Sequence, residues 1–231
     1  MDFANLKRRI LRRALYSLKL NNYVDKLEQS GILKIFKEGY GHTISKERKQ
    51  SLNANGLPIP WFTYPAIEYL IQLNLKDKTV LEWGAGNSSL FFSSIAKKIC
   101  SIEHNKNWYN EISALKIPNQ ELIFREGNLY VTAIKEFNQK FDIVVIDGIL
   151  RDDCSKIAIQ YLKSDGLIIL DNSDRDPAIA EFLRGKDLIE VDMHGFGPIN
   201  DYTWTTSFFL TRSFNFKPNQ NQPEIPIGGG F

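Results

Sequence analysis

The stretch Thr79-Val80-Leu81-Glu82-Trp83-Gly84-Ala85-Gly86-Asn87-Ser88-Ser89 decides the fold of this chain. Residues 79–83 are β-prone and mostly apolar, which predicts a short buried strand. Gly84 and Gly86 let the backbone turn sharply and approach a ligand closely, and the polar run at 87–89 can cap the apolar helix that follows. The pattern is typical of a nucleotide-type binding turn, although an ordinary tight strand–helix loop would also show it.

A second apolar strand at residues 99–102 makes the ligand-binding interpretation stronger, because it ends in Glu103. A carboxylate at that place can accept hydrogen bonds from both ribose hydroxyls of NAD or of S-adenosylmethionine. Glu82 favours S-adenosylmethionine over NAD. A carboxylate beside the glycines repels the pyrophosphate of NAD and suits the cationic amino-acid end of S-adenosylmethionine. The third glycine of the NAD-type turn is also absent, since Ser89 stands there.

An acidic residue followed by Gly-x-Gly, as in Glu82-Trp83-Gly84-Ala85-Gly86, resembles the first motif of the class I S-adenosylmethionine-dependent methyltransferases. The resemblance covers roughly residues 61–212. It implies an α/β, Rossmann-like fold whose seven-stranded sheet is mostly parallel, with an antiparallel final strand, and the residues before it predict an N-terminal helical cap. It also implies that S-adenosyl-L-methionine is bound by Glu82, Gly84, Gly86, Asn87, Ser88, Glu103, Trp108 and Asn128. Within that set, Trp108 either stacks on adenine or belongs to the core, and Glu126 is an alternative to Asn128.

Composition agrees with one globular domain, because the 231 residues are 43% hydrophobic and 24% charged. A net charge of +2 gives no strong field that would select nucleic acid, so no nucleic-acid partner is expected. The two cysteines, Cys100 and Cys154, fall in or beside buried-looking elements, which favours a reducing compartment. We find no apolar run of spanning length and no signal-peptide pattern, and therefore expect a cytoplasmic protein.

The chain divides into a helical and loop cap at 1–60, a catalytic domain at 61–213 and an extended tail at 214–231. Residues 2–19 predict an amphipathic helix with Arg8, Arg9, Arg12 and Arg13 on its basic face. We favour a helix packed on the domain, and the alternative is a peripheral contact with an anionic membrane or polymer. Apolar residues of the tail, Ile225, Ile227 and Phe231, are expected to dock on the domain or on a second subunit of a homodimer.

Acidic residues follow the fourth and fifth predicted strands. Residues 141–146 form a continuous apolar run, typical of a buried parallel strand, and end in Asp147. Because ligands bind at the carboxyl ends of strands in such sheets, Asp147 is placed beside the transferable methyl group. The candidates for removing a proton from the acceptor are Asp147, His42 and His194. His42 lies in a turn-rich segment at 39–45, where a structural role is at least as well supported.

Asp147, together with the Asp171-Asn172 pair after the fifth strand, also resembles the divalent-cation-dependent O-methyltransferases, such as the catechol and caffeoyl-coenzyme A enzymes. In those enzymes the corresponding residues hold a magnesium-type ion, and oxygen ligands suit Mg²⁺. The sequence departs from the pattern, because Leu150 stands where the catechol enzyme has a lysine, with Arg151 next. In the alternative interpretation, Asp147 is the acidic residue that class I methyltransferases ordinarily have after the fourth strand, and Asp171-Asn172 caps the turn that follows.

Taken together, these features predict an S-adenosylmethionine-dependent methyltransferase that acts by direct displacement. We favour an oxygen acceptor on a small molecule or glycan, and a nitrogen acceptor stays open. No Asn-Pro-Pro-Tyr-type motif follows the fourth strand, which argues against nucleobase and amide N-methylation. The alternative from another class is a non-catalytic adenosyl-binding or scaffold protein on the same fold. Two β-prone runs at 188–193 and 203–211 have no helix between them and predict an antiparallel closing pair. This pair and Glu82 disfavour an NAD-linked oxidoreductase.

Overall fold

The computed structural model of the protein describes residues 10, 13, 14, 17, 21–220 and 222–229. The amphipathic helix predicted at 2–19 lies largely outside these residues, and Phe231 lies outside them altogether. The helices are α1 (Asn21–Lys34), α2 (His42–Arg48), α3 (Tyr64–Ile71), α4 (Asn87–Ile95), α5 (Lys106–Ala114), α6 (Asn128–Thr132), α7 (Arg151–Tyr161) and α8 (Pro177–Arg184). A π-helical turn at Ile35–Tyr40 and 3₁₀ turns at Ala133–Phe137 and Ser173–Arg175 complete the helical structure.

Seven strands form one sheet, in the order β3-β2-β1-β4-β5-β7-β6. They are β1 (Thr79–Trp83), β2 (Lys98–Glu103), β3 (Gln120–Phe124), β4 (Phe141–Ile146), β5 (Leu162–Asp171), β6 (Ile189–Gly195) and β7 (Trp204–Leu210). The first five strands are parallel, and β7 runs antiparallel between β5 and β6. The predicted fold class, including the antiparallel closing strand, is confirmed.

The central strands are buried on both faces, which explains their continuous apolar sequence. In β4, Ile143 and Val145 belong to the core under α3 and α4, whereas Val144 and Ile146 belong to the core under α7 and α8. This alternation follows from the two-residue period of a strand. Both helical layers are thereby fixed on the sheet, and the carboxyl ends of β1, β2, β4 and β5 meet at one edge.

The cap differs from the sequence-based expectation, because residues predicted to be turn-rich form helix α2. Gly41 provides the turn before this helix, with φ of 73°, and a Cβ there would lie 2.4 Å from the carbonyl carbon of Asn53. Glycine is therefore required at this position, and the helix can start directly after it. The cap packs on α3 through the stacked rings of Tyr40 and Tyr64, whose centroids lie 4.1 Å apart.

The tail runs along α3 and the cap. Asn219 donates hydrogen bonds from its amide to the carbonyl oxygens of Ile71 and Leu73, and Ile227 lies against Gly39. These contacts agree with docking on the domain, while Ile225 remains 67% exposed. In the part of the chain that the structure describes, no helix has the length and apolar character needed to cross a membrane.

Candidate functional site

The glycine turn between β1 and α4 brings two strand ends into close contact. Gly84 has φ of +95°, and a Cβ added to it would lie 3.3 Å from Cα of Gly148, which follows β4. Both glycines are needed for this close packing, because a Cβ on Gly148 would overlap the hydroxyl of Tyr130. The turn is open beside Gly86, where an added Cβ would meet only the ring of Trp108, and we call this space the cleft. At the mouth of α4, the backbone N–H groups of Asn87 and Ser88 have no intrahelical acceptor, whereas the Asn87 side chain donates to the Ser51 carbonyl of the cap, at 2.8 Å.

Glu82 is fully buried beneath this turn and does not face the cleft. Its carboxylate accepts hydrogen bonds from the hydroxyls of Ser88 at 2.8 Å and Ser101 at 2.7 Å, and from Ser89 as well. Ser101 is its direct neighbour on β2. Burial raises the pKa of Glu82 to about 7, although the three serine hydroxyls favour the charged form. Glu82 thus fastens β1, β2 and the start of α4 to one another.

Glu103, at the end of β2, is 3% exposed and lies against the glycine turn. One carboxylate oxygen accepts the N–H of Ala85 at 3.0 Å. The other accepts the N–H groups of His104 at 2.9 Å and Asn105 at 2.7 Å. The carboxylate therefore orders the turn and the loop after β2 together, at the place where the sequence predicts ribose binding.

Two other predicted cofactor residues lie around the same turn. Trp108 donates from its indole nitrogen to the Ala85 carbonyl at 2.5 Å, and its ring is 41% exposed. A Cβ on Gly86 would lie 3.9 Å from this ring, so Trp108 forms one wall of the cleft and is not a core residue. Asn128 is exposed at the first position of α6, on the β3 side of the cleft.

Arg151, at the start of α7, joins the ends of β4 and β5. Its guanidinium donates to the Gly148 carbonyl at 2.9 Å and to the Asp171 carbonyl at 2.5 Å. It also donates to the Asp147 carbonyl at 3.1 Å and to the Asp147 carboxylate at 3.2 Å, and reaches the Asn172 side-chain oxygen at 3.5 Å. Burial and the neighbouring Asp171 raise the pKa of Asp147 well above its usual range, and Arg151 opposes this shift.

The predicted magnesium site is not supported by this geometry. Asp171 is turned into the sheet, where one carboxylate oxygen accepts the indole N–H of Trp204 at 3.0 Å and the hydroxyl of Thr206 at 2.6 Å. Burial raises the pKa of Asp171 to about 6. Because the cation of Arg151 already bonds Asp147 and Asn172, the three residues do not form an oxygen cage for an ion. Within the described residues, no group of three or more His, Cys, Asp and Glu side chains is placed to hold a metal.

A cavity of about 210 Å³ opens beside Asp147. Its apolar lining consists of the aromatic side chains Trp61, Tyr202 and Trp204, and its polar lining consists of Asp147, Asp171, Asn172, Arg175 and Asn200. These residues come from the segment before α3, the turns after β4 and β5, and the loop that enters β7. A larger, more open cavity of about 690 Å³ lies between the first turns of α7 and α8, and Arg175 lines both cavities.

The two histidines predicted as alternative proton acceptors are not part of the lining of either cavity. His42 makes a 3.2 Å hydrogen bond with the Tyr64 hydroxyl, and its other ring nitrogen lies 3.7 Å from Asp201. His194 is on the edge strand β6 and makes a 2.6 Å hydrogen bond with the Thr205 hydroxyl. Of Asp147, His42 and His194, it is Asp147 that lines the cavity of about 210 Å³.

Neither a protein-family model nor a curated protein matches the sequence. Among solved structures, a Staphylococcus aureus protein provisionally assigned as a caffeoyl-CoA O-methyltransferase matches over 83% of this chain and 99% of its own, with 18% identity and a TM-score of 0.51. The chain has the class I S-adenosylmethionine-dependent methyltransferase fold. Precorrin-6y C5,15-methyltransferase from Geobacter metallireducens matches over 63% of this chain and 86% of its own, with 17% identity and a TM-score of 0.49, too low to carry an argument.

On this methyltransferase fold, sequence reasoning missed much of the cavity. The sequence does not single out Arg175, Asn200 and Tyr202, because their loops show no periodicity or spacing motif, and Trp204 begins a strand whose sequence predicts only burial. Trp61 lies just before α3, where packing beneath the loop and contact with an acceptor both fit an aromatic residue. The signal that would have found Arg175 is its position just after β5, since the carboxyl ends of parallel strands carry ligand contacts in such sheets.

Proposed function

We propose that the protein is an S-adenosylmethionine-dependent methyltransferase that methylates an oxygen atom of a small molecule or glycan. One observation carries the proposal: Asp147 lies between the glycine turn and a cavity with aromatic and polar walls. S-Adenosylmethionine supplies a methyl group on a sulfonium centre when it is bound. The remaining steps depend on groups of the protein that bind, align and deprotonate the acceptor.

The residues around the glycine turn are suited to an adenosyl ligand. The turn is open beside Gly86, and Glu103 holds a carboxylate against the turn where ribose hydroxyls would need acceptors. Trp108 offers an exposed indole at the rim, and Asn128 offers an amide on the other side. The fully buried Glu82 would act through the backbone that it fixes, including the free N–H group of Ser88.

Asp147 is suited to remove a proton from an acceptor hydroxyl. A raised pKa makes its carboxylate a stronger base, and the ideal pKa for general-base catalysis lies near the working pH. Arg151 holds the side chain in place through the 3.2 Å contact and keeps the charged form accessible. An oxygen acceptor needs such a base more than an amine does, which is why oxygen is favoured over nitrogen.

The test is transfer of a labelled methyl group from S-adenosylmethionine into a panel of hydroxylated small molecules and sugars. We expect Asp147→Asn to lower turnover by roughly 10²–10⁴-fold, the usual contribution of general acid–base catalysis. Calorimetry should give the same S-adenosylhomocysteine affinity for the variant and the wild type. Asp187→Asn is the control, because Asp187 is an exposed aspartate that lines neither cavity and is paired with Arg212.

Turnover should also persist in chelator, because Arg151 donates to Asp147 and Asn172, two of the three residues that the metal hypothesis assigns as ligands. Unchanged turnover in Asp147→Asn would remove Asp147 from the proposed mechanism. Loss of activity in chelator, with recovery on addition of Mg²⁺, would overturn the interpretation of Arg151.

A further inference from the structure

Arg175 has a guanidinium group without a partner at the junction of the two cavities. Arg175 is exposed to solvent, its side chain makes no hydrogen bond and no ion pair among the described residues, and it lines both the smaller and the larger cavity. Arginine presents five N–H donors in a planar fork that matches carboxylate and phosphate groups. An unpaired arginine in the wall of a cavity is therefore suited to bind an anionic group of a ligand.

The backbone that carries Arg175 is anchored to β7. Ser173 shares a 2.5 Å hydrogen bond with the Ser207 hydroxyl, and Asp174 accepts the backbone N–H of Thr205 at 3.0 Å. The turn begins at Asn172, which has a left-handed φ of 53°. The neighbours of Arg175 thus serve to fix the turn, whereas its own side chain is left for the cavity.

Arg151 shows the contrast, because its donors are taken up by Gly148, Asp147, Asp171 and Asn172. It balances the carboxylates of the inner cavity and has little capacity left for a ligand. Of the two arginines that line the cavities, Arg175 is the one available to an incoming anion.

Both cavities carry carboxylates, so an anion has to be bound by direct contact with Arg175. Asp147 and Asp171 line the inner cavity, and Asp152, Asp153 and Asp176 line the larger one. Lys156 pairs with Asp152 and Asp153 at the exposed rim and is not part of either lining. The proposal therefore depends on the guanidinium of Arg175 and not on the overall charge of either cavity.

The aromatic walls indicate what else the ligand carries. Trp61 is 46% exposed and Tyr202 is 53% exposed, although large aromatic side chains are usually more buried. Amides of Asn172 and Asn200 lie in the same lining. Apolar ring faces with hydroxyl-binding amides and a carboxylate suit a sugar ring, whose faces are C–H-rich and whose edges carry hydroxyls. At about 210 Å³, the cavity is smaller than the roughly 300–1,000 Å³ of common small-molecule sites and takes one ring.

We propose that the acceptor is an acidic sugar, whose ring lies among the aromatic side chains and whose carboxylate or phosphate is bound by Arg175. This inference rests on the proposed methyltransferase function and specifies its substrate class. Arg175 would act as a specificity-determining residue: it binds the anionic group, while Asp147 faces the hydroxyl to be methylated.

The test uses three probes with one ring: D-glucose, D-glucuronate and D-glucose 6-phosphate. Their dissociation constants are measured by ligand-observed NMR on the full chain saturated with S-adenosylhomocysteine. We expect at least one anionic probe to bind wild type roughly tenfold or more tightly than glucose, because charge-assisted bidentate contacts are the stronger kind. Arg175→Gln should reduce this preference to about twofold or less and leave glucose unchanged. Whichever anionic probe binds more tightly identifies carboxylate or phosphate as the recognised group.

Arg175→Lys keeps the charge without the planar fork and should retain part of the preference. Arg212→Gln, at an exposed arginine paired with Asp187, is the matched control and should behave as wild type. Equal binding of the three probes to wild type, no binding of either anion, or an unchanged preference in Arg175→Gln would each overturn the inference. The proposed function fails separately, if calorimetry shows that S-adenosylhomocysteine itself does not bind.

Discussion

At the scale of single residues, Glu82 shows how the binding turn is built. A fully buried carboxylate is unfavourable unless hydrogen bonds satisfy it, and three serine hydroxyls do so here. Two of the serines begin α4 and the third lies on β2, so one side chain determines where the helix starts relative to the sheet. The carboxylate stabilises the turn by fixing its backbone. The free-energy cost of burying its charge depends on pH.

Glu82→Gln should make stability less dependent on pH. The pKa of Glu82 is about 7 in the folded protein and 4.5 in a model peptide, so the native state binds more protons between these values. The free energy of unfolding therefore falls as pH rises from about 4.5 to 7, by up to about 3 kcal/mol from this group. Urea unfolding at the two ends of this range should show a smaller fall in Glu82→Gln than in wild type.

Glu121→Gln is the control for that measurement, because Glu121 is an exposed glutamate on β3 paired with Lys98. Asp147 and Asp171 also have raised pKa values and lower stability in the same direction as pH rises. They are present in both proteins, so the difference between the two slopes reports Glu82 together with its smaller electrostatic effect on Asp147. Parallel pH profiles for wild type and Glu82→Gln would show that the Glu82 pKa is not raised.

Glu103→Ala should weaken S-adenosylhomocysteine binding roughly ten- to hundredfold, equivalent to about 1.5–3 kcal/mol. The substitution removes an acceptor for ribose hydroxyls and also leaves the N–H groups of Ala85, His104 and Asn105 without their acceptor. The affinity of Glu103→Gln, which keeps one acceptor oxygen, should lie between the affinities of wild type and Glu103→Ala. Calorimetry measures the affinities, with Glu121→Ala as control, and an unchanged affinity in Glu103→Ala would refute the ribose assignment.

At the scale of elements, an ion pair joins the cap to the loop before β7. Lys46 of α2 contacts both carboxylate oxygens of Asp201 at 2.6 Å, and Asp201 lies between the cavity residues Asn200 and Tyr202. Both partners are exposed, so the pair contributes at most about 1 kcal/mol to stability. Its effect is local, because it fixes a loop that forms one wall of the cavity.

Lys46→Met should therefore loosen the loop without unfolding the protein. We expect amide hydrogen exchange at residues 199–203 to become several-fold faster, because the loop loses its contact with α2, while the melting temperature changes little. Lys98→Met removes a comparable exposed pair, with Glu121, and should leave this loop unchanged. If exchange in the loop is the same in Lys46→Met and wild type, the ion pair does not hold the cavity wall.

The elements also show what the sequence could predict. The strands at 79–83 and 141–146 match their predicted bounds, because buried parallel strands are continuous apolar runs and periodicity detects them. Helix α2 was missed, because its few polar residues lack a repeating apolar face and it depends on the turn at Gly41. The predicted metal ligands follow the right strands, but the side-chain directions of Asp171 and Arg151 depend on tertiary contacts.

At the scale of the whole molecule, topology brings the separate loops together. The order β3-β2-β1-β4-β5-β7-β6 places the ends of β1, β4 and β5 side by side, and the hairpin of β6 and β7 brings Tyr202 and Trp204 next to them. The cleft at the glycine turn lies on the β2 side of Asp147 and the aromatic cavity on the β5 side. The proposed function assigns the nucleoside ligand to the first of these two adjacent sites and the acceptor to the second.

The central claim is that the first of these sites binds S-adenosylmethionine, and the most direct measurement is isothermal titration of the protein with S-adenosylhomocysteine and, separately, with NAD. Saturable binding of S-adenosylhomocysteine near one site per chain is predicted, with NAD binding at least about a hundredfold more weakly, because the turn lacks a third glycine and has the carboxylate of Glu82 beneath it. Tighter binding of NAD, or no binding of S-adenosylhomocysteine by folded protein, would contradict the account.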